Sequence, residues 1–303
     1  MPQALLIVNP QAGRGKAQRV YRAFEDELRK RALSFNTVMT GSRAETLETA
    51  RAGAADYPFV VTIGGDGTTQ AVAEGLVGTE ATFAVVPVGS GNDFARSLKV
   101  PTDLGRIADD LRRGTIKTID TGRYRLRRHG MDEVDEGFFI NIVGLGFDAA
   151  IAYESQQIKW LRNTPLYTWC LLKTLPAFKP QEMIIEADGR RVEGKFYLVT
   201  SGNGRFEGGG FNITPDALLN DGLLDVCMVD EMSRLRLLRL FPTVLWGGHR
   251  GFPEVRFERC SRIRIVSQSH MTAHADGEML GINISEIDLE VRKGALKTLV
   301  HGS

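Results

Sequence analysis

Between residues 4 and 86, short apolar runs alternate with amphipathic stretches, and glycines stand where strand gives way to helix. Residues 4–8, Ala-Leu-Leu-Ile-Val, form a continuous apolar run of the kind buried on both faces of a parallel sheet. Asn9, Pro10 and Gly13 then turn the chain. Val20, Phe24 and Leu28 recur four apart among charges, which predicts a helix over 16–32. The order repeats as strand 34–39, helix 44–54, strand 59–63, helix 68–76 and strand 82–86. Such alternation specifies a doubly wound, mostly parallel α/β domain.

From residue 138 the texture changes. Runs at 138–143, 183–187, 196–201, 224–229, 263–266 and 287–291, separated by glycine-rich turns, predict a β-sandwich-like or barrel domain. Two helical insertions interrupt it, at 148–175 and 234–246. The charged loop 123–137 suits a connection, and 303 residues exceed what one core usually supports. The expected domains are 1–125, α/β, and 126–293, β-rich, with the tail 294–303 free to return to the first.

A formal net charge of +1 gives no basic face for displacing counterions, which argues against nucleic acid as a partner. Three isolated cysteines, Cys170, Cys227 and Cys260, make neither a disulfide framework nor a metal knuckle and suit a reducing cytoplasm. The N-terminus lacks the pattern of a signal peptide, and no apolar run reaches 18 residues.

The strongest chemical signal is Gly64-Gly65-Asp66-Gly67-Thr68, placed between an apolar strand and a helix. Glycines there let backbone approach phosphate, and the helix start offers unpaired N–H groups and a positive dipole end. Asp66 among phosphates would be repelled without an intervening cation, so it is expected to reach Mg²⁺ directly or through water. A second loop of this design, 87–96, carries Gly89, Ser90, Asn92 and Asp93. With the loop 9–15 they make three at neighbouring strand ends, as in open α/β sheets. None is a Gly-Lys-Ser/Thr phosphate loop, and Gln18 replaces the third glycine of a dinucleotide fingerprint.

Together, Asn9-Pro10-x-x-Gly13, Gly64 to Thr68, the 87–96 loop and Asp276-Gly277-Glu278 resemble the diacylglycerol kinase catalytic-domain family, specifically its soluble bacterial lipid kinase branch. The resemblance spans essentially the whole chain. It implies ATP-dependent transfer to a lipid hydroxyl, with ATP on the α/β domain and the lipid entering between the domains. Carried over by position, nucleotide contacts fall on Thr40, on 65–71 and on Ser90, where the family usually has threonine. Many relatives have Asn-Glu at Gln70-Ala71, so this chain lacks a carboxylate there.

The resemblance also implies a structural Mg²⁺ held by the Asp221 carboxylate and the carbonyls of Leu218 and Leu223, a set of hard oxygens. An Asp-Gly hairpin turn is the competing reading of 221–222. It implies a general base at Glu278 with Asp276 beside it, since a lipid hydroxyl is a poor nucleophile at neutral pH. Repulsion between the two carboxylates is expected to raise one of them. Which of the two takes the proton stays open, and a polar hairpin turn is again the alternative.

His270 and His274 read as surface or core residues. Arg234, Arg236 and Arg239, interleaved with leucines, suit either an anionic lipid surface or an ordinary exposed helix. The loop 206–211 is a candidate for a lipid mouth. The expected activity is that of a lipid kinase acting at a membrane surface, for which a homodimer is compatible with the sequence. The rivals are an NAD-kinase-like enzyme with a soluble substrate and a nucleotide-binding regulatory module without catalysis.

Overall fold

The computed structural model describes residues 3–158, 160–161 and 163–301, and the chain divides into two units: residues up to Thr121 with the segment from Lys293, and Gly122–Arg292. In the first unit, β1 (Ala4–Val8), β2 (Phe35–Met39), β3 (Phe59–Gly64) and β4 (Thr82–Pro87) are all parallel, in the order β2-β1-β3-β4. Helices α1 (Lys16–Lys30), α2 (Arg43–Gly53) and α3 (Asp66–Leu76) connect them, followed by α4 (Asp93–Ser97) and α5 (Leu104–Arg113). Leu6 and Val8 pack with Phe24 and Leu28 of α1 and Ile107 and Leu111 of α5. On the opposite face Leu5 is so close to α2 that a Cβ on Gly53 would lie 2.3 Å from it. Helices therefore cover both faces. Ser42 and Asp103 cap α2 and α5 by accepting the N–H groups of Glu45 and Arg106, each cap contributing about 1 kcal/mol.

In the order β2-β1-β3-β4 the connection after β1 runs to one side and that after β3 to the other. The gap between the carboxyl ends of β1 and β3 is thus the switch point, where ligands sit in such sheets.

The second unit is antiparallel, as the turn-punctuated runs predict. Following β5 (Thr115–Arg128), its strands are β6 (Val134–Phe139), β7 (Ile142–Gly146), β8 (Gln181–Ala187), β9 (Arg190–Gly202), the short β10 (Phe206–Glu207) and β11 (Phe211–Asn212), β12 (Leu224–Asp230), β13 (Val255–Cys260), β14 (Arg262–Ala275) and β15 (Glu278–Val300). β9 and β14 each pair with both β7 and β8, so the ladder closes on itself. Strand alternation does the sorting: Leu224, Val226 and Met228 face the inner core with Ile263 and Ile265, whereas Cys227 and Val229 face α6 (Phe147–Gln157), α7 (Asn163–Thr174) and α8 (Arg234–Leu240). The end of β15 lies in the first unit, where Lys297 and Thr298 pair in parallel with Thr82 and Phe83 of β4.

The architecture is the expected combination of a doubly wound α/β unit and a β-sandwich-like unit with helical insertions. All three cysteines are free and buried. Among the described residues no helix is long and apolar enough to cross a membrane.

Candidate active site

The three glycine-bearing loops meet at the carboxyl ends of β1, β3 and β4. Asn9 Nδ2 donates to Thr68 Oγ1 at 3.3 Å across the switch point. A Cβ on Gly13 would lie 2.6 Å from the Val88 carbonyl, so the first loop rests on the third. Gly65 and Gly89 stand back to back, where a Cβ on Gly89 would be 2.8 Å from the Gly65 Cα. Only glycine permits this approach. Gly64 packs equally tightly on Thr68, and Gly67 lies in the first turn of α3. Ser90 is exposed at the tip of its loop. Thr40, by contrast, is buried, its hydroxyl accepting from Thr46 at 2.8 Å.

The Asp66 carboxylate lies between the loops: Oδ2 accepts the Asn92 N–H and Oδ1 the Asp93 N–H, both at 2.8 Å. It caps α4 from another loop and ties the two glycine loops together, while Asn92 Nδ2 donates to the Gly89 carbonyl. Burial pushes the Asp66 carboxyl up from its ordinary value, and the two amides oppose that rise.

In the second unit, Asp276 and Gly277 form the two-residue turn of the β14–β15 hairpin, with φ of 50° and 84°. Positive φ at both positions is what such a turn demands, and Asp followed by Gly supplies it. The turn and the chemical motif are therefore one object. Asp276 points inward, accepting the N–H groups of Ile140, Asn141 and Ile142 at 2.9, 3.0 and 2.8 Å. Its carboxyl is pushed up to about 6, first of all by burial, against which the three amides and His274 act. Asp276 thereby braces the turn against residues 140–142. Glu278, first residue of β15, is exposed and makes no side-chain hydrogen bond or ion pair among the described residues.

At the implied cation loop, Asp221 Oδ1 accepts the Leu223 N–H at 3.1 Å and Oδ2 pairs with Arg259. Leu218 is exposed. Nearby Asp225 is pushed up to about 6, first by burial and then by Asp221 and Asp216 despite Arg259. Its Oδ2 is buried and faces Arg259 Nε at 3.5 Å. An excess of oxygen donors fits a hard divalent cation.

His274 is a core residue, one of the two readings the sequence allowed, and Glu207 lies in the 206–211 loop; their convergence with Asp148 in the second unit was not legible in the sequence. Their spread over 126 residues of chain left no spacing to recognise. Burial, then Asp148, lifts Glu207 to about 7.

A carboxyl raised on folding keeps its proton in the native state while the unfolded chain has lost it, so the contribution is full at low pH and disappears as pH rises through the folded value. With Asp225 and Asp276 at about 6 and Glu207 at about 7, the urea midpoint of the second unit is expected to fall between pH 5 and 7.5. Glu207→Gln should flatten the upper part of that fall. A midpoint that rises over this interval would contradict it.

A parallel sheet ending in three glycine-built loops, joined in one chain to a β-sandwich-like unit, is the architecture of a class of kinases that phosphorylate hydroxyl groups. Residues 3–124 match the diacylglycerol kinase catalytic domain, and 141–300 the YegS C-terminal NAD kinase beta sandwich-like domain. A diacylglycerol kinase of Mycobacterium tuberculosis is 30% identical over 275 residues, covering 90% of this chain and 87% of its own. One from Bacillus subtilis is 28% identical over 289 residues, covering 93% and 91%. The crystal structure of a diacylglycerol kinase from Bacillus anthracis superposes with a TM-score of 0.73 at 21% identity, over 98% of this chain and 96% of that one. Yeast NADH kinase complexed with NADH gives 0.57 at 12% identity, over 99% and 84%. The chain belongs to the diacylglycerol kinase family, and it is a kinase.

Proposed function

We propose that the protein transfers the γ-phosphate of ATP to the hydroxyl of diacylglycerol or a related lipid. The observation that supports it most is the convergence of three glycine loops, cross-braced by Asp66, at the switch point of a parallel sheet. Asn9, Gly13, Gly64, Gly65, Gly67, Thr68, Gly89, Asn92 and Asp93 shape a backbone surface for the triphosphate. Ser90 donates to it, and Thr40 acts from beneath by fixing the end of β2. Glu278 accepts the proton of the lipid hydroxyl, being the carboxylate of its motif that nothing else engages. Asp276 holds the turn that presents it.

The divalent ion that accompanies ATP supplies charge neutralisation at the phosphates when bound. Asp221, with the carbonyls of Leu218 and Leu223, would hold a second, structural Mg²⁺ that stiffens its loop.

The lipid is met at a membrane surface. Exposed Tyr153, Trp160, Trp169 and Leu172 on and around α6 and α7, and Leu235, Leu245 and Trp246 on and after α8, are side chains that water alone does not favour. Incubation with labelled ATP, Mg²⁺ and a lipid panel in mixed micelles is expected to move label into the organic phase. Label passing only to a soluble acceptor such as NAD would replace the lipid reading, and no transfer to any acceptor would favour a regulatory module. Retention on phosphatidylglycerol vesicles should fall at least fivefold in Trp160→Ala/Trp169→Ala, and equal retention would remove these residues from the surface contact.

A further inference from the structure

Asp148, Glu207 and His274 stand behind the hairpin that carries Glu278. His274, on β14 four residues before Glu278, is fully buried, with Nε2 2.8 Å from Glu207 Oε1 and 3.6 Å from Asp148 Oδ2. Thr200 Oγ1 donates to Asp148 at 2.9 Å, and Glu207, lifted to about 7, shares its proton with Asp148. Gly144 of β7 leaves room for the ring, since its Cβ would lie 2.4 Å from Nε2. The cluster is satisfied within itself, so it has no need of a ligand. It is also costly, because apolar side chains of the same volume would pack there without desolvation.

What the two acids set is the state of the ring. The Gly277 N–H donates to His274 Nδ1 at 3.3 Å. Only an unprotonated nitrogen accepts an N–H, so the ring proton sits on Nε2, toward Glu207 and Asp148, which hold that tautomer. On the other side of the same glycine, Gln156 Nε2 of α6 donates to the Gly277 carbonyl at 3.1 Å. The N–H belongs to the peptide before Gly277 and the carbonyl to the peptide after it. Both planes flanking this residue are therefore pinned.

Packing does not hold them, because a Cβ at Gly277 would meet no atom within 4 Å, and glycine has the widest torsional freedom of any residue. Glu278 departs from the second of those planes. Its side chain makes no hydrogen bond or ion pair among the described residues, so its direction follows the peptide that carries it.

We infer that His274 is a positioning residue for phosphoryl transfer: kept in one tautomer by Asp148 and Glu207, it fixes the Gly277 peptide and with it the direction in which the Glu278 carboxylate is presented. This rests on the reading of Glu278 as the base and deepens it. A base misplaced by about an ångström loses rate while the substrate still binds, so the effect belongs in kcat.

The test separates the two ring nitrogens. In His274→Gln the amide reaches where Nε2 stood and still meets the acids, but no acceptor remains for Gly277. In His274→Asn the amide oxygen stands where Nδ1 stood and accepts that N–H. With 1,2-dioleoylglycerol in mixed micelles and Mg·ATP, His274→Gln is expected to lose about 10- to 100-fold in kcat with KM within about twofold of wild type. His274→Asn should keep kcat within about threefold although its urea midpoint falls further. Gln156→Ala, at an exposed position, should lower kcat at least threefold with the urea midpoint unchanged. In a Glu278→Gln background neither His274→Gln nor Gln156→Ala should lower the rate by more than about a further twofold. Amide exchange at 276–279, read by mass spectrometry, should quicken at least tenfold in His274→Gln and stay at the wild-type rate in His274→Asn.

A folded His274→Gln with wild-type kcat overturns the inference, as does a rate that follows the urea midpoint in both His274 variants, which a residue that only packs the core would give. Equal losses with and without Glu278 overturn the route through that residue. Should both His274 variants unfold, Gln156→Ala decides, and wild-type kcat there overturns the inference. Failure of the underlying reading looks different: Glu278→Gln keeps its activity, or no lipid is phosphorylated, while the exchange contrast still reports whether His274 holds the turn.

Discussion

Replacing Glu278 with Gln is expected to lower kcat on a lipid acceptor by about 10²- to 10⁴-fold, the range by which a positioned general base accelerates proton transfer. Glu278 is exposed and engages no partner, so the substitution disturbs no buried contact, and the urea midpoint and ATP binding should match the wild type. Because a base acts in the transition state, the loss should fall on kcat and leave KM nearly untouched. Asp276, one residue beyond Gly277, supplies the contrast. Asp276→Ala would orphan three amides, each costing about 1–3 kcal/mol, so its damage should appear first as lost stability of the second unit. Measuring both variants by steady-state kinetics and urea denaturation separates the roles. Activity of Glu278→Gln within threefold of wild type would take the base away from this residue.

The sequence carried what is local. Apolar runs of five or six residues followed by glycine, as at 59–65 and 82–89, can be buried on both faces and must turn at their ends, so the parallel sheet and its loops were legible before any coordinates. The antiparallel alternation of 224–229 was equally plain, since one face of that strand meets the sandwich core and the other the helices. Orientation was not legible. Whether a carboxylate points at solvent or at three amides depends on which backbone folds against it, and Asp276 finds its partners more than 130 residues earlier in the chain. Turn and active-site motif looked like rival readings of 276–278 because sequence cannot show that a tight hairpin can present one side chain outward while burying its neighbour. The Arg43–Glu74 pair has the same character: Gln70 bonds to both of its members, and Ala71 beside it is fully buried.

Asp66→Ala is expected to destabilise the first unit by about 3–6 kcal/mol and to raise the KM for ATP more than tenfold. Two hydrogen bonds to a buried carboxylate disappear, each contributing about 1.5–3 kcal/mol, and the amides of Asn92 and Asp93 lose their acceptors at the start of α4. The loop at 87–92 should then drift from the loop at 64–68, widening the surface proposed for the triphosphate. Asp66→Asn should be intermediate, because its carbonyl oxygen accepts one N–H while its amide nitrogen faces the other donor to donor. A brace and an ion contact differ in their response to magnesium. For a brace, the Mg²⁺ concentration giving half-maximal rate at saturating ATP stays at the wild-type value in Asp66→Asn, and the defect follows stability and nucleotide affinity. A variant with wild-type stability whose Mg²⁺ midpoint alone moves tenfold would return Asp66 to the cation.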